Sequence, residues 1–188
     1  MDHFFPRFVI VVVGSMVAST STSTSLSAET KAKNLILQGR TAVLSFQVDA
    51  PGAPMKVLEA LFDPKNMALL SQADQIEMIS GDLSRQVVRY TFKTMFLENQ
   101  SLYERTLLPA EGRVQFVMMK SLQTSSALPE QLASKGFYLV TQQGTGCFVE
   151  YHQETTFGRD LFFYERHFLE RSAREQVAKM KAFILSIR

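Results

Sequence analysis

Between Arg40 and Ala50 apolar and polar residues alternate, with Ala42, Leu44, Phe46, Val48 and Ala50 on one side and Thr41, Ser45, Gln47 and Asp49 on the other. A period of two with one apolar face predicts a half-buried strand, to which Val43 is the single exception. Pro51-Gly52 breaks that strand, and Pro54 suits the first turn of a helix, where its missing N–H costs nothing. Met55, Val57, Leu58, Leu61 and Phe62 then follow at helical spacing until Asp63-Pro64, because a residue before proline is pushed out of the α region. Lys65 to Leu70 predicts a second, shorter helix.

A series of strands follows. Gln75 to Ile79 ends at the Gly81-Asp82 turn, and Arg85 to Leu97 alternates with Val88, Tyr90, Phe92, Thr94 and Phe96 on the inner face. Glu98-Asn99 is expected to turn the chain into Ser101 to Leu108, and Pro109 to Gly112 into Arg113 to Lys120, which carries Val114, Phe116 and Met118. Ser121 to Lys135 is polar and contains Pro129, so it reads as a long loop. Gly136 to Gln142, with Phe137 inward, and Gly146 to Phe157 close the series. In the last strand Cys147, Val149, Tyr151, Gln153 and Thr155 share the inner side, opposite Glu150, His152 and Glu154.

The final segment, Arg159 to Arg188, predicts one long amphipathic helix. Phe162, Leu169, Ala173, Met180, Ile184 and Ile187 fall in a narrow arc at 100° per residue, with Val177 at its edge and Asp160 in the first turn. That stripe needs a partner, and the strands before it are the only sizeable one. The fold class is therefore α+β: a curved seven-stranded antiparallel sheet closed by a long C-terminal helix, with two short helices between strands one and two.

With 188 residues the chain has one domain's worth of sequence, enough for a real core. A net charge of +2 with no basic run excludes a nucleic-acid footprint. Residues 1–28 differ from the rest. Phe8 to Val13 is continuously apolar and Gly14 to Ala18 extends it to about eleven residues, short of the ~20 that span a bilayer. Its length is that of a signal-peptide core, followed by the Ser/Thr tract Ser19 to Ser27, with cleavage expected at Ala28 or, alternatively, after Ala18 or Ser19. Export, periplasmic or secreted, is the expectation; an uncleaved anchor is the alternative. Residues 29–39 read as a linker and 40–188 as the folded domain. The lone Cys147 allows no internal disulfide and is expected to be a small buried hydrophobe.

The segment Ser45-Phe46-Gln47-Val48-Asp49-Ala50-Pro51, followed by Val57 to Asp63-Pro64, resembles the opening strand and helices of the START-like or Bet v 1-like superfamily, which includes polyketide cyclase and dehydrase relatives. Gly144-Thr145-Gly146-Cys147-Phe148-Val149-Glu150-Tyr151 is similar to that family's last strand. The resemblance covers about residues 40–188 and implies a helix-grip fold with a cavity between sheet and helix. Two departures stand out: many members have a Trp near the second helix, where this chain has Met67 to Leu70 and no Trp anywhere, and the 121–135 loop is longer.

No catalytic or metal motif is present: GxSxG, HExxH, paired CxxC, Walker A and GxGxxG are all missing, and His152 and His167 have no second ligand at metal spacing. No cofactor is expected. Around Tyr103-Glu104-Arg105, neighbours point to opposite faces. If Tyr103 and Arg105 face inward they offer a site for an anionic or carbonyl group; if Glu104 does, with Leu102 and Leu108, it becomes a cavity acid of raised pKa; outward charges of either kind are a solvated ladder. The expected ligand-binding set is Tyr90, Phe92, Tyr103, Arg105, Phe116, Met118, Phe137, Tyr151, Gln153, Leu169 and Ala173, with small Ala173 leaving room for the ligand. The leading expectation is a monomer that carries a hydrophobic small molecule, such as a lipid, isoprenoid or polycyclic compound, with transient contact to a membrane surface. A cyclase- or dehydrase-type enzyme using Glu104, Tyr103 or Arg105, and a protein-interaction domain using the outer sheet face, are the alternatives.

Overall fold

The computed structural model describes residues 34–94, 97–123 and 129–188. Residues 1–33, which include the expected signal segment, residues 95–96 and residues 124–128 lie outside the described residues. Eight strands form one antiparallel sheet: β1 Leu35–Gln38, β2 Thr41–Ala50, β3 Gln75–Gly81, β4 Arg85–Thr94, β5 Leu97–Leu108, β6 Arg113–Gln123, β7 Gln131–Gln143 and β8 Gly146–Phe157. Their spatial order is β1-β2-β8-β7-β6-β5-β4-β3. Between β2 and β3 the chain crosses through helix α1 (Pro54–Phe62), a short 3-10 turn and helix α2 (Met67–Leu70). Helix α3, Phe163–Ser186, follows β8 and lies against β2 and α2.

The alternation in β2 and β8 sets the inner face. Ala42, Leu44, Phe46, Val48 and Ala50 stand opposite Thr155, Gln153, Tyr151, Val149 and Cys147, and β8 alternates half-buried and buried along its whole length. Cys147 is buried, as its pattern predicted, and burial pushes its thiol up. Helix α1 buries Val57, Leu58, Leu61 and Phe62, the residues its spacing selected, while Met55 remains exposed. The side chain of Asp63 accepts the N–H of Lys65 at 2.9 Å, turning the chain where the Asp-Pro pair predicted.

Three expectations about the strands need correction. Leu35–Gln38, assigned to a linker, is an eighth strand joined to β2 by a tight turn in which Gly39 adopts φ 55°. Four residues without a β-branched pair carry little pattern, but the free edge of β2 gives them a ladder. Glu98 and Asn99, expected at a turn, pair with Lys93 and Phe92 inside the β4–β5 ladder. The stretch 121–135 is mostly strand: β6 runs to Gln123 and β7 begins at Gln131, with buried Gln131 and Ser134 on the inner face. Polar residues hid that strand from a search for apolar alternation.

Helix α3 also starts later than expected, at Phe163. Asp160 therefore precedes its first turn, and the carboxylate there belongs to Glu165, which accepts the N–H of Phe162 at 2.7 Å and a two-point bond from Arg159 at 2.8 Å. Phe162 does not join the inward row: it is 53% exposed, stacks on Tyr164 at 5.8 Å and lies under the Arg159 guanidinium at 4.4 Å. Leu161 is the residue that packs inward. Leu169, Ala173, Val177, Met180 and Ile184 are buried as the stripe predicted, and polar Ser172 and Gln176 are buried beside them.

Candidate functional site

Beneath α3 and α2 the inner face of β4 to β8 encloses a cavity of about 60 Å³. Its wall contains Tyr90, Phe92, Tyr103, Arg105, Phe116, Tyr151 and Gln153, all selected from the strand pattern, together with Tyr138. Met67, Leu70 and Ser71 close it from the α2 side and Gln176 from α3.

Register explains why these residues meet. Tyr138 lies opposite Tyr151 across β7 and β8, and Val114 opposite Tyr138 across β6 and β7, so Tyr138 faces inward. Phe137 lies opposite His152 on the other face, where their rings stack at 5.2 Å and the Arg113 guanidinium sits 4.8 Å from the Phe137 centroid. Phe137 is thus an outer-face residue, one position out of register with its expected role. Gly136 is what allows the aromatic wall to close, since a Cβ there would come within 2.5 Å of Cζ of Phe116. Phe116 stacks on Tyr151 at 6.0 Å, Tyr103 meets Tyr90 edge-on at 5.5 Å, and Tyr138 and Tyr151 lie 4.8 Å apart.

Three other selected residues stand elsewhere. Met118 packs against the core opposite Tyr103 without reaching the cavity, and Leu169 is fully packed. Ala173 faces a separate groove of about 220 Å³ between α3 and the β1–β2 edge, lined also by Leu35, Leu44, Val177, Arg174 and Lys181. The room left by this small side chain is real but on the wrong flank of the helix. Gln176, one turn nearly on, is the α3 residue that reaches the cavity, and its polarity kept it out of an apolar stripe.

A buried chain of neutral polar groups crosses the floor. Gln131 donates through Nε2 to the Tyr103 hydroxyl at 3.3 Å and to Oγ1 of Thr155 at 3.4 Å. Thr155 and Nε2 of Gln153 both donate to Oγ of Ser134 at 3.3 Å, and the Tyr151 hydroxyl donates to Oε1 of Gln153. The Tyr90 hydroxyl lies 3.7 Å from Sδ of Met67. Burial dominates the tyrosine chemistry. It pushes Tyr103 up to about 12 against hydrogen bonds to Ser134 and Gln131, and lifts Tyr90, Tyr138 and Tyr151 as well. All four are neutral donors at physiological pH. Tyr138 and Gln176, both at least nine-tenths buried, also bring a hydroxyl and an amide to the cavity wall.

Tyr103 and Arg105 face inward, which decides the orientation of their strand. Arg105 donates from Nη1 to the carbonyl of Phe62 and to Oε1 of Gln86, both at 3.1 Å, and from Nη2 to the carbonyl of Leu61. It thereby caps the C-terminus of α1. Glu104 points outward and pairs with Arg85, so the cavity acid considered for it is ruled out. Among the described residues the wall carries no carboxylate, imidazole or thiol, and no group of three or more His, Cys, Asp or Glu is arranged to hold a metal.

No family model and no curated protein matches the chain. Solved structures do. The Zhui aromatase/cyclase from Streptomyces sp. R1128 superposes with a TM-score of 0.58 at 15% identity, over 77% of this chain and 92% of that one. A STAR-related lipid transfer protein from Xanthomonas axonopodis gives 0.57 at 12% identity, over 84% and 97%. A START superfamily protein from Mycobacterium smegmatis gives 0.56 at 8% identity, over 76% and 96%. At these identities the shared feature is the architecture, and the chain carries the helix-grip fold that its sequence resemblance to START-like and Bet v 1-like proteins implied.

Proposed function

We propose that the chain binds and carries a hydrophobic small molecule in the cavity between the sheet and α3. The observation that carries this reading is a wall of stacked aromatic rings into which the Tyr138 hydroxyl and the Gln176 amide bring isolated polar points. An apolar pocket with a few convergent polar points is the usual form of a ligand site. The likeness to a lipid transfer protein and to an aromatase/cyclase agrees with it.

The volume of about 60 Å³ is small for a ligand. A water occupies about 30 Å³ of liquid and small-molecule pockets span about 300–1,000 Å³. Loading therefore requires a wall to move, and the four-residue α2 is the wall with the least structure of its own. It is held by Lys179, whose Nζ donates to the carbonyls of Ala68 at 2.6 Å and Ser71 at 3.0 Å, and by a two-way bond between Gln72 and Ser172. A cyclase-type reaction lacks support, because among the described residues the wall carries no carboxylate or imidazole and its tyrosines are held neutral by burial. Native mass spectrometry after incubation with a cell-envelope lipid extract tests the proposal: a stoichiometric adduct is expected, and protein that stays empty with lipid, isoprenoid and polycyclic probes overturns it. Residues 1–28 direct export in this reading, and cell fractionation with N-terminal sequencing of the mature protein checks that part.

A further inference from the structure

Arg105 is 3% exposed, stands in the cavity wall, and has no anion against it. Its three hydrogen bonds go to uncharged acceptors, the carbonyls of Leu61 and Phe62 and the amide oxygen of Gln86. A guanidinium offers five N–H donors. Three of these are used in the bonds to Leu61, Phe62 and Gln86. No described carboxylate forms an ion pair with it: its sequence neighbour Glu104 is on the other face and paired with Arg85, and the remaining salt bridges lie on the outer sheet face, at the far edge or along α3. The carbonyls that Arg105 caps end a helix, whose macrodipole supplies only about half an elementary charge there. A whole buried cation thus faces about half a compensating one.

Buried charge is costly unless paired, and the deficit is felt inside the cavity. The positive field of Arg105 pulls against the larger effect of burial at the hydroxyls of Tyr90 and Tyr138. Both tyrosines are neutral and line the same space, Tyr90 donating to Sδ of Met67, so the Tyr138 hydroxyl is the donor that faces the ligand that neutralises the guanidinium. The polar chain from Tyr103 to Gln153 contains no acid and cannot supply that charge.

We propose that the cavity selects an amphipathic anion, an aromatic or aliphatic body ending in a carboxylate that completes the Arg105 site with help from the Tyr138 hydroxyl. This rests on the reading that the cavity binds a hydrophobic small molecule, and it names the class. The stacked rings of Phe116, Tyr138 and Tyr151 accept the body, and Arg105, beside them, accepts the head.

Calorimetry with 2-naphthoate and its neutral isostere 2-naphthamide on the full chain at pH 7.5 tests it. Naphthoate is expected to bind at least tenfold more tightly, to shift the Arg105 Nε resonance in NMR spectra, and to lose its advantage in Arg105→Gln while keeping it in Arg105→Lys. The wild-type ranking and the Nε shift decide the matter even if Arg105→Gln fails to fold. Amide bound as tightly as the acid, or an unmoved Nε signal, overturns the anion site and leaves apolar binding standing. If neither probe binds, the anion site falls, while the carrier reading stands or falls on the lipid-extract experiment.

Discussion

Nη1 of Arg105 donates to the backbone oxygen of Phe62 across 3.1 Å, and the same guanidinium lies 5.4 Å from the Phe62 ring. One side chain from the middle of the sheet thereby holds the end of α1, through its carbonyl and through its face. Replacing Arg105 by Met leaves the carbonyls of Leu61 and Phe62 and the amide oxygen of Gln86 without their donor. The expected loss is about 2–3 kcal/mol, because an orphaned buried acceptor costs about 1–3 kcal/mol while removal of the unpaired charge returns part of it. Urea unfolding with an unchanged m-value checks this, and a loss below about 0.5 kcal/mol would contradict the capping role.

Glu165 predicts an acid-side dependence of stability. Burial alone would raise its carboxyl, but the bonds from Arg159 and the Phe162 N–H outweigh burial and hold it below the ordinary value. A lowered folded-state value means that its stabilisation is fully present above the unfolded carboxylate range near pH ~4.3 and is lost as pH falls through the folded value. Glu165→Gln is expected to cost about 0.5–2 kcal/mol at pH 7, the range of a lost N-terminal cap. The gap between wild type and variant should close toward pH 3. Thermal melts from pH 7 to 3 show whether it does.

The tyrosines predict the opposite flank. Burial lifts all four cavity tyrosines, Tyr103 to about 12. Above pH ~10 the unfolded chain releases protons that the folded chain retains, so stability falls as pH rises from there. Each tyrosine contributes a slope of up to about 1.4 kcal/mol per pH unit. Absorbance at the phenolate band is expected to show these four ionising only together with loss of the far-ultraviolet signal. Early ionisation in a folded chain would mean that water reaches the cavity.

Lys179 predicts a kinetic effect. Lys179→Met removes both bonds to the α2 carbonyls of Ala68 and Ser71 but keeps most of the stem that covers them. Stability should drop by about 1 kcal/mol. Association of a fluorescent apolar probe, followed by stopped flow, should quicken severalfold, and amide exchange in residues 67–71 should rise more than in α3. Unchanged association would place the entrance elsewhere on the wall.

Local pattern was enough to identify most of the container. Alternation in Arg40 to Ala50 and in Gly146 to Phe157 selected the inner faces of β2 and β8, because one buried face leaves a period of two in any half-buried strand. The stripe from Leu169 to Ile184 did the same for α3. For the cavity, the pattern was sufficient wherever the inward residue was apolar or aromatic and its strand regular. It placed Tyr90, Phe92, Phe116 and Tyr151 on the wall without reference to any partner strand.

What the sequence could not supply was anything that depends on a neighbour. A one-residue change of register moves a side chain to the other face, so Phe137 and Tyr138 exchanged roles once β7 was paired to β8. Gln131, Ser134 and Gln176 are buried because other polar groups or the cavity meet them there, a fact invisible in their own hydropathy. Ala173 sits on the apolar side of its helix, yet which of two hollows it faces is set by how α3 lies across β1 and β2. The sequence by itself determined the strands, the closing helix and the aromatic character of the wall, since these follow from burial along a single element. Only the tertiary structure decided that Arg105 faces inward without a carboxylate and Glu104 outward with Arg85, because charge pairing is a property of distances between elements and not of order along the chain.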